Sequence, residues 1–216
     1  MRNLDGFFTT DLAERALKET DENYRPLEPG SYLYRKILKY PLEEKFSDEF
    51  IELLYVTLAA WNMNSRGAKL QDYEKFKESI YKTKNLFIEL NRYSLIDIND
   101  QKVRDVLNKL FFESDLVAEG KPPLVTFSKT LHFMLPNLIG PIDRKYTLQF
   151  FYQNTNVPKS LERQFERFME IEEKYNAIAQ KIQFDKYRNS NWNSSIPKMV
   201  DNTIIGHMKL EAKRLR

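Results

Sequence analysis

Lys129 is the first residue of this sequence whose type and position suggest chemistry. It lies in a mostly apolar stretch where Thr126 has the side chain of a helix N-cap, so we predict a helix near 127–135 with Lys129 in its first turn. A cation there faces the positive end of the helix dipole, which lowers the pKa of the amine and favours a nucleophile. The alternative is a surface lysine whose stem lies along the helix.

Asp143 is the second such residue, because it follows Gly-Pro-Ile and should cap the next helix. A carboxylate held at a helix N-terminus stays ionised, so it could activate water or stabilise a cation that develops on a sugar. Short connections could bring Lys129 and Asp143 into one solvent-accessible cleft, together with Arg66. The alternative for Asp143 is a simple helix cap.

A polar turn, Asn-Met-Asn-Ser-Arg-Gly at 62–67, comes after a long apolar run. The planar guanidinium of Arg66 could bind a phosphate or a carboxylate, and Asn62 and Asn64 could pair with a base edge. We therefore predict that these three residues bind nucleic acid. The alternative is a polar helix C-terminus that Gly67 ends in a left-handed conformation.

Residues 181–216 form a basic region, with eight Lys or Arg against three Asp or Glu in a chain whose net charge is only +3. Aromatic side chains lie among the basic ones there, a mixture on which single-stranded nucleic acid stacks. The predicted contacts for weak, salt-sensitive binding are Lys186, Arg188 and Trp192, together with Lys181, Phe184, Tyr187 and Lys198. The alternative is that Lys and Arg collect near helix C-termini, where the dipole favours them.

The two catalytic candidates lie in segments that resemble a known family. The segments 128–133 (Ser-Lys-Thr-Leu-His-Phe) and 141–144 (Pro-Ile-Asp-Arg) look like the core of the helix-hairpin-helix DNA glycosylase superfamily. The resemblance implies that Lys129 stands in the place of the Schiff-base lysine and Asp143 in that of the catalytic aspartate. The family's Gly-hydrophobic-Gly turn is absent here, because 124–128 reads Leu-Val-Thr-Phe-Ser.

The resemblance implies a DNA glycosylase or abasic-site lyase that flips a base out of DNA and breaks its glycosidic bond. Asp143 would stabilise the sugar cation, and Lys129 would attack C1′. Two alternatives stay open. One is a non-catalytic module that binds DNA or single-stranded nucleic acid. The other is a protein-interaction module whose contact surface would be the amphipathic helix predicted at 159–183, if that helix exposes an apolar stripe.

Helices should position these residues, because the only regular apolar periodicity is about 3.6 residues and the helix breakers fall between the periodic stretches. We predict a single all-α domain over 1–216, with a glycosylase-like core at roughly 45–155. Ser47 should cap a central buried helix. Trp61 and Leu131 should belong to one core that links the helices bearing the two motifs.

Composition removes several classes of function. The chain has no cysteine and only two distant histidines, so we expect no metal site, and His132 should be a hydrogen-bonded packing residue. The six scattered glycines build neither a P-loop nor a GxGxxG turn, and we expect no cofactor. The N-terminus lacks an apolar signal segment, and no run approaches the roughly 20 apolar residues of a membrane span. We therefore expect a cytoplasmic protein without a membrane partner.

Overall fold

Helices make up most of the part of the chain that the structure describes, which confirms the predicted all-α fold class. The computed structural model describes residues 8–65, 68–189 and 191–215. Within these ranges the chain forms ten α-helices, namely α1 (Thr10–Glu22), α2 (Pro29–Ile37), α3 (Asp48–Leu58), α4 (Tyr73–Lys82), α5 (Lys84–Leu90), α6 (Gln101–Glu113), α7 (Leu124–Met134), α8 (Gln149–Tyr152), α9 (Leu161–Lys181) and α10 (Ile196–Arg214).

Shorter elements connect the helices. Three of them are 3₁₀ turns (Leu42–Glu44, Leu95–Asp97 and Phe184–Tyr187), and two are π-helical turns (Ala59–Met63 and Arg144–Leu148). The strands found in the described ranges are β1 (Asn64–Ser65) and β2 (Ala68–Lys69), a two-residue antiparallel pair. The first π turn leads into the polar turn at 62–67, and the second begins directly after Asp143. Such turns are rare and often lie at functional sites.

Local capping signals start several helices where the sequence predicts them. The hydroxyl of Ser47 accepts the Phe50 N–H at 3.2 Å, so this residue is the N-cap of α3, as predicted. Ser160 caps α9 in the same way, by accepting the Arg163 N–H at 3.3 Å. The long helix predicted at 159–183 is therefore confirmed as α9. Each cap satisfies an N–H group that the helix itself leaves without a partner.

The central buried helix is not α3, as the sequence predicts, because Val56 of α3 is exposed. It is α7, in which every residue is buried, polar ones included. It packs against α3 and α9. Its Leu131 is fully buried, and Trp61 at the end of α3 packs edge-on against Phe133 with 4.8 Å between ring centroids. The predicted core linking Trp61 and Leu131 is therefore confirmed, although Trp61 is only partly buried because it also faces a cleft.

Both ends of α7 are held by side chains from other parts of the chain. The N–H of Leu124 donates to Gln164 of α9 at 3.2 Å. At the other end, the amine of Lys45 donates to the carbonyls of Phe133 and Met134 at 3.1 and 2.8 Å. These contacts satisfy backbone groups that a buried helix end would otherwise leave unpaired.

The C-terminal region is part of the core, since α10 packs along α1. The approach is closest at Gly206, where a Cβ atom would lie 2.0 Å from the carbonyl oxygen of Ala16. Phe184 and Lys198 are buried, each about 2% exposed. These two residues therefore cannot stack on a single strand at the surface, which corrects that part of the prediction for 181–216.

The apolar face of α9 is covered by the same chain. Phe168, Ile171 and Tyr175 are fully buried, and α9 packs against α6, α7 and α10. Leu161, at the first position of the helix, is exposed. A protein-interaction surface on this helix required an exposed apolar stripe, and Leu161–Lys181, all of it described, presents none.

No helix in the described part of the chain is both long enough and apolar enough to cross a membrane. The described residues also contain no group of three or more acidic or histidine side chains arranged to hold a metal ion.

Candidate active site

The structure brings Lys129 and Asp143 together. The amine of Lys129 lies 3.4 Å from Oδ2 of Asp143 and donates to the carbonyl of Trp61 at 3.1 Å. Lys129 is 5% exposed, whereas Asp143 is partly exposed. The two residues therefore form an ion pair with one buried and one solvent-facing member.

The position of Lys129 in its helix differs from the prediction. Thr126 is not the N-cap, because α7 begins at Leu124 and Thr126 is buried inside it with its hydroxyl against the sulfur of Met63. Lys129 therefore lies in the second turn, beyond the strongest effect of the helix dipole. Burial lowers the pKa of its amine, and the neighbouring Asp143 carboxylate opposes that shift. The predicted direction is confirmed, but its cause is burial.

Asp143 caps the π-helical turn that follows it, as predicted. Its Oδ1 accepts the N–H groups of Lys145 and Tyr146 at 2.8 and 3.3 Å. Its Oδ2 is the oxygen that faces Lys129. The two carboxylate oxygens therefore have separate tasks: one fixes the backbone, and the other is available to the amine.

The connection between α7 and Asp143 is fixed at five consecutive residues. Each residue from 139 to 143 has a backbone group that is hydrogen-bonded to a side chain. The carbonyls of Ile139 and Pro141 accept from His132 and Tyr175. The N–H groups of Gly140, Ile142 and Asp143 donate to Glu172, Ser128 and Thr147. The distances lie between 2.9 and 3.2 Å. Such support holds Asp143 in one position relative to α7, which is what a catalytic group requires.

His132 is a packing residue, as predicted. It is fully buried, its Nδ1 donates to the Ile139 carbonyl at 2.9 Å, and its Nε2 accepts from the hydroxyl of Tyr34 at 3.1 Å. Burial lowers its pKa to about 3, so the ring is neutral at physiological pH. His132 therefore supports the connection to Asp143 and does not itself line the cleft.

A cleft runs along both sides of the Lys129–Asp143 pair. It consists of two adjoining cavities of about 350 and 310 Å³, which share Asn62, Lys129 and Asp143. The larger cavity has aromatic and charged walls: Glu28, Trp61, Tyr146, Trp192, Lys198 and Asp201. The smaller one has apolar walls and a basic side: Met63, Pro122, Val125, Arg144, Lys145 and Val157. Together they offer room for a small organic group on either side of the amine.

A second ion pair in the larger cavity was not found from the sequence. Lys198 lies 2.6 Å from Asp201, and both are buried on α10. Burial raises the pKa of the Asp201 carboxyl, and Lys198 opposes that shift. One signal could have revealed the pair: Ser195 starts the helix, and a lysine and an aspartate three residues apart lie on the same face.

The predicted nucleic-acid contacts fall into two groups. Asn62 and Trp192 line the cleft, and Asn62 has a left-handed backbone with φ of 62°. Asn64 is exposed in β1 but does not line either cavity. Lys186 and Arg188 are exposed on another part of the surface, and Arg188 bonds to Asp185 and to the Ser194 carbonyl. Arg66 and Gly67 lie outside the described residues, so the predicted place of Arg66 in the cleft stays a prediction.

Comparisons with protein-family profiles, with curated proteins and with solved structures give no match for this chain. The resemblance to the helix-hairpin-helix DNA glycosylases therefore stays a prediction that depends on the two motifs around Lys129 and Asp143. The same holds for the glycosylase-like core predicted at roughly 45–155.

Proposed function

We propose that this chain acts on DNA as a glycosylase or abasic-site lyase, with Lys129 as the nucleophile and Asp143 as its carboxylate partner. The observation that carries the proposal is the placement of the Lys129 amine 3.4 Å from the Asp143 carboxylate on the wall of one cleft. An amine and a carboxylate so arranged supply an attacking group for C1′ and an anion for the positive charge that develops on the sugar.

The amine must lose its proton before it attacks. Burial lowers the pKa of Lys129 and so favours the neutral form. The neutral amine then adds to the C1′ aldehyde of an open abasic sugar, water leaves, and an imine forms. Water takes a proton from C2′, a double bond forms between C2′ and C3′, and the phosphate leaves C3′ with the electron pair of the broken C–O bond. A second water then hydrolyses the imine to release Lys129.

The cleft has surfaces suited to a nucleotide that has left the double helix. Trp61, Trp192 and Tyr146 offer aromatic faces beside the pair, and bases stack on such faces. Arg144 and Lys145 line the adjoining cavity, and Lys145 is exposed, so it could bind a phosphate of the DNA backbone.

Borohydride trapping on DNA that carries an abasic site tests the proposal directly, because reduction of the imine joins protein and DNA covalently. We expect trapping by the unaltered chain and none by Lys129→Ala. Asp143→Asn should form the product more slowly, by about 10²–10³-fold if the carboxylate stabilises the developing charge. Lys75→Ala is the matched control, since Lys75 is exposed on α4, lines neither cavity and belongs to no predicted nucleic-acid contact, and it should trap normally.

Circular dichroism of each variant establishes that it is folded. Trapping that persists in Lys129→Ala would contradict the assignment of the nucleophile. Salt-sensitive binding to abasic DNA without any trapping would contradict the catalytic proposal and would indicate the non-catalytic binding module.

A further inference from the structure

The larger cavity contains a buried ion pair that the proposed reaction does not use. The amine of Lys198 lies 2.6 Å from Oδ2 of Asp201, and the two side chains are 2% and 3% exposed. Both residues line the cavity that Lys129 and Asp143 also line. The cleft therefore holds two lysine–aspartate pairs, one supplied by α7 and the turn after it, the other by α10.

Aromatic rings surround Lys198. Its amine lies 4.6 Å from the ring centroid of Trp192, 5.4 Å from that of Trp61 and 6.0 Å from that of Tyr34. The amine of Lys129 lies 5.7 Å from the same Trp61 ring, so both lysines contact one indole. Aromatic faces attract an ammonium group and exclude water from it. Lys198 therefore lies among aromatic faces, and its carboxylate partner is Asp201.

The charged groups that line the cleft around Lys129 come from several elements. Asp143 and the adjoining Arg144 and Lys145 follow α7, Lys198 and Asp201 belong to α10, and Glu28 precedes α2. The carboxylate of Asp201 favours the charged form of Lys129, and the ammonium of Lys198 disfavours it. Because Lys198 and Asp201 form an ion pair, their opposite effects on the pKa of Lys129 largely cancel. Without Lys198, burial favours the protonated form of Asp201, and the carboxylate could stay ionised only beside another cation. Lys129 lines the same cavity, so Asp201 would then act on it as a second carboxylate.

We propose that Lys198 is a positioning residue for Lys129, because it holds Asp201 in an ion pair and so leaves Asp143 as the one carboxylate that pairs with the Lys129 amine. The inference rests on the proposed function only in taking the Lys129 amine as the nucleophile. The availability of the amine itself can be measured without DNA.

Reductive methylation with formaldehyde and cyanoborohydride measures this availability, because only the neutral amine reacts. The rate at Lys129 would be followed against pH by peptide mass spectrometry in the unaltered chain, Lys198→Met, Asp201→Asn and the double variant. Lys75 is the internal reference, since it is exposed on α4, lines neither cavity and should react alike in all four proteins.

Lys198→Met should raise the pH at which Lys129 becomes reactive, and below that pH Lys129 should react about tenfold more slowly for one unit of pKa. Asp201→Asn should have the opposite effect, because it leaves the positive charge of Lys198 uncompensated. The double variant should return to within about twofold of the unaltered chain, because both charges are gone.

An unchanged rate in Lys198→Met would overturn the inference, and so would a double variant as slow as Lys198→Met. If Lys198→Met does not fold, an unchanged rate in Asp201→Asn would overturn it. Failure of this inference can be distinguished from failure of the proposed function. The expected methylation rates without DNA trapping would contradict only the proposed reaction on DNA. DNA trapping without the expected methylation rates would contradict only the role of Lys198.

Discussion

Gly140→Ala should destabilise the fold, because the connection between α7 and Asp143 has no room for a side chain at this position. A Cβ atom would lie 2.1 and 2.3 Å from two ring carbons of Tyr175, whereas carbon atoms in contact are about 3.5–4.0 Å apart. Tyr175 is fully buried, and its hydroxyl donates to the Pro141 carbonyl at 3.2 Å. The ring therefore cannot move aside without losing that hydrogen bond or displacing its neighbours.

The size of the effect follows from these contacts. Overpacking a core costs about 1–3 kcal/mol, and we expect the upper end because a supporting hydrogen bond is strained as well. A loss of about 3 kcal/mol in the free energy of unfolding corresponds to a fall in Tm of about 6–12 °C for a domain of this length.

Thermal and urea unfolding followed by circular dichroism measure this change. Gly30→Ala is the matched control, since the nearest atoms to its added Cβ would be 3.4 Å away, an ordinary contact, and its Tm should change little. The double variant Gly140→Ala/Tyr175→Leu lacks the ring that the added methyl group would meet. It should therefore lose less free energy of unfolding than the sum of the two single variants. A Tm for Gly140→Ala equal to that of the control would refute the reasoning.

Two further predictions concern the buried groups that hold this connection. Burial raises the pKa of Glu172 well above its usual value, so the folded chain keeps a proton that the unfolded chain releases, and stability falls as the pH rises above about 4.3. Glu172→Gln should therefore gain Tm relative to the unaltered chain between about pH 5 and pH 8, and a constant difference would contradict this. Burial lowers the pKa of His132 to about 3, so the unaltered chain should lose stability as the pH falls below about 6.5. His132→Gln should be less stable at neutral pH but less sensitive to acid in urea unfolding, and an equal acid sensitivity would contradict the assignment.

The pairing of Lys129 with Asp143 could be predicted from the sequence because its signals are local. A lysine inside an apolar stretch and an aspartate after Gly-Pro-Ile are both visible in a short window. The start of α7 could not be predicted in this way. Its first N–H is satisfied by Gln164, which lies forty positions further along the chain, so a local cap at Thr126 was not needed.

The spacing of Lys198 and Asp201 after Ser195 was the one sequence signal for the second ion pair, and its aromatic surroundings could not be predicted, for a related reason. Tyr34 and Trp61 are far from Lys198 in sequence and meet it only when α2, α3 and α10 pack together, whereas Trp192 lies six positions before Lys198. The basic composition of 181–216 suggested a surface, but composition does not distinguish an exposed lysine from one that is buried with a carboxylate. Charge counts therefore located a basic region without showing which of its residues face solvent.

The break at the end of α3 explains why Lys129 can be both buried and available. Trp61 and Asn62 leave helical geometry, with φ of −91° and 62°, and the carbonyl of Trp61 accepts from Lys129. Asp143 is the second acceptor, and the described residues offer the amine no third one. A neutral amine has two N–H groups and one lone pair. When its two N–H groups bond to Trp61 and Asp143, the lone pair is the group that stays unused, and it belongs to a side chain that lines both cavities of the cleft.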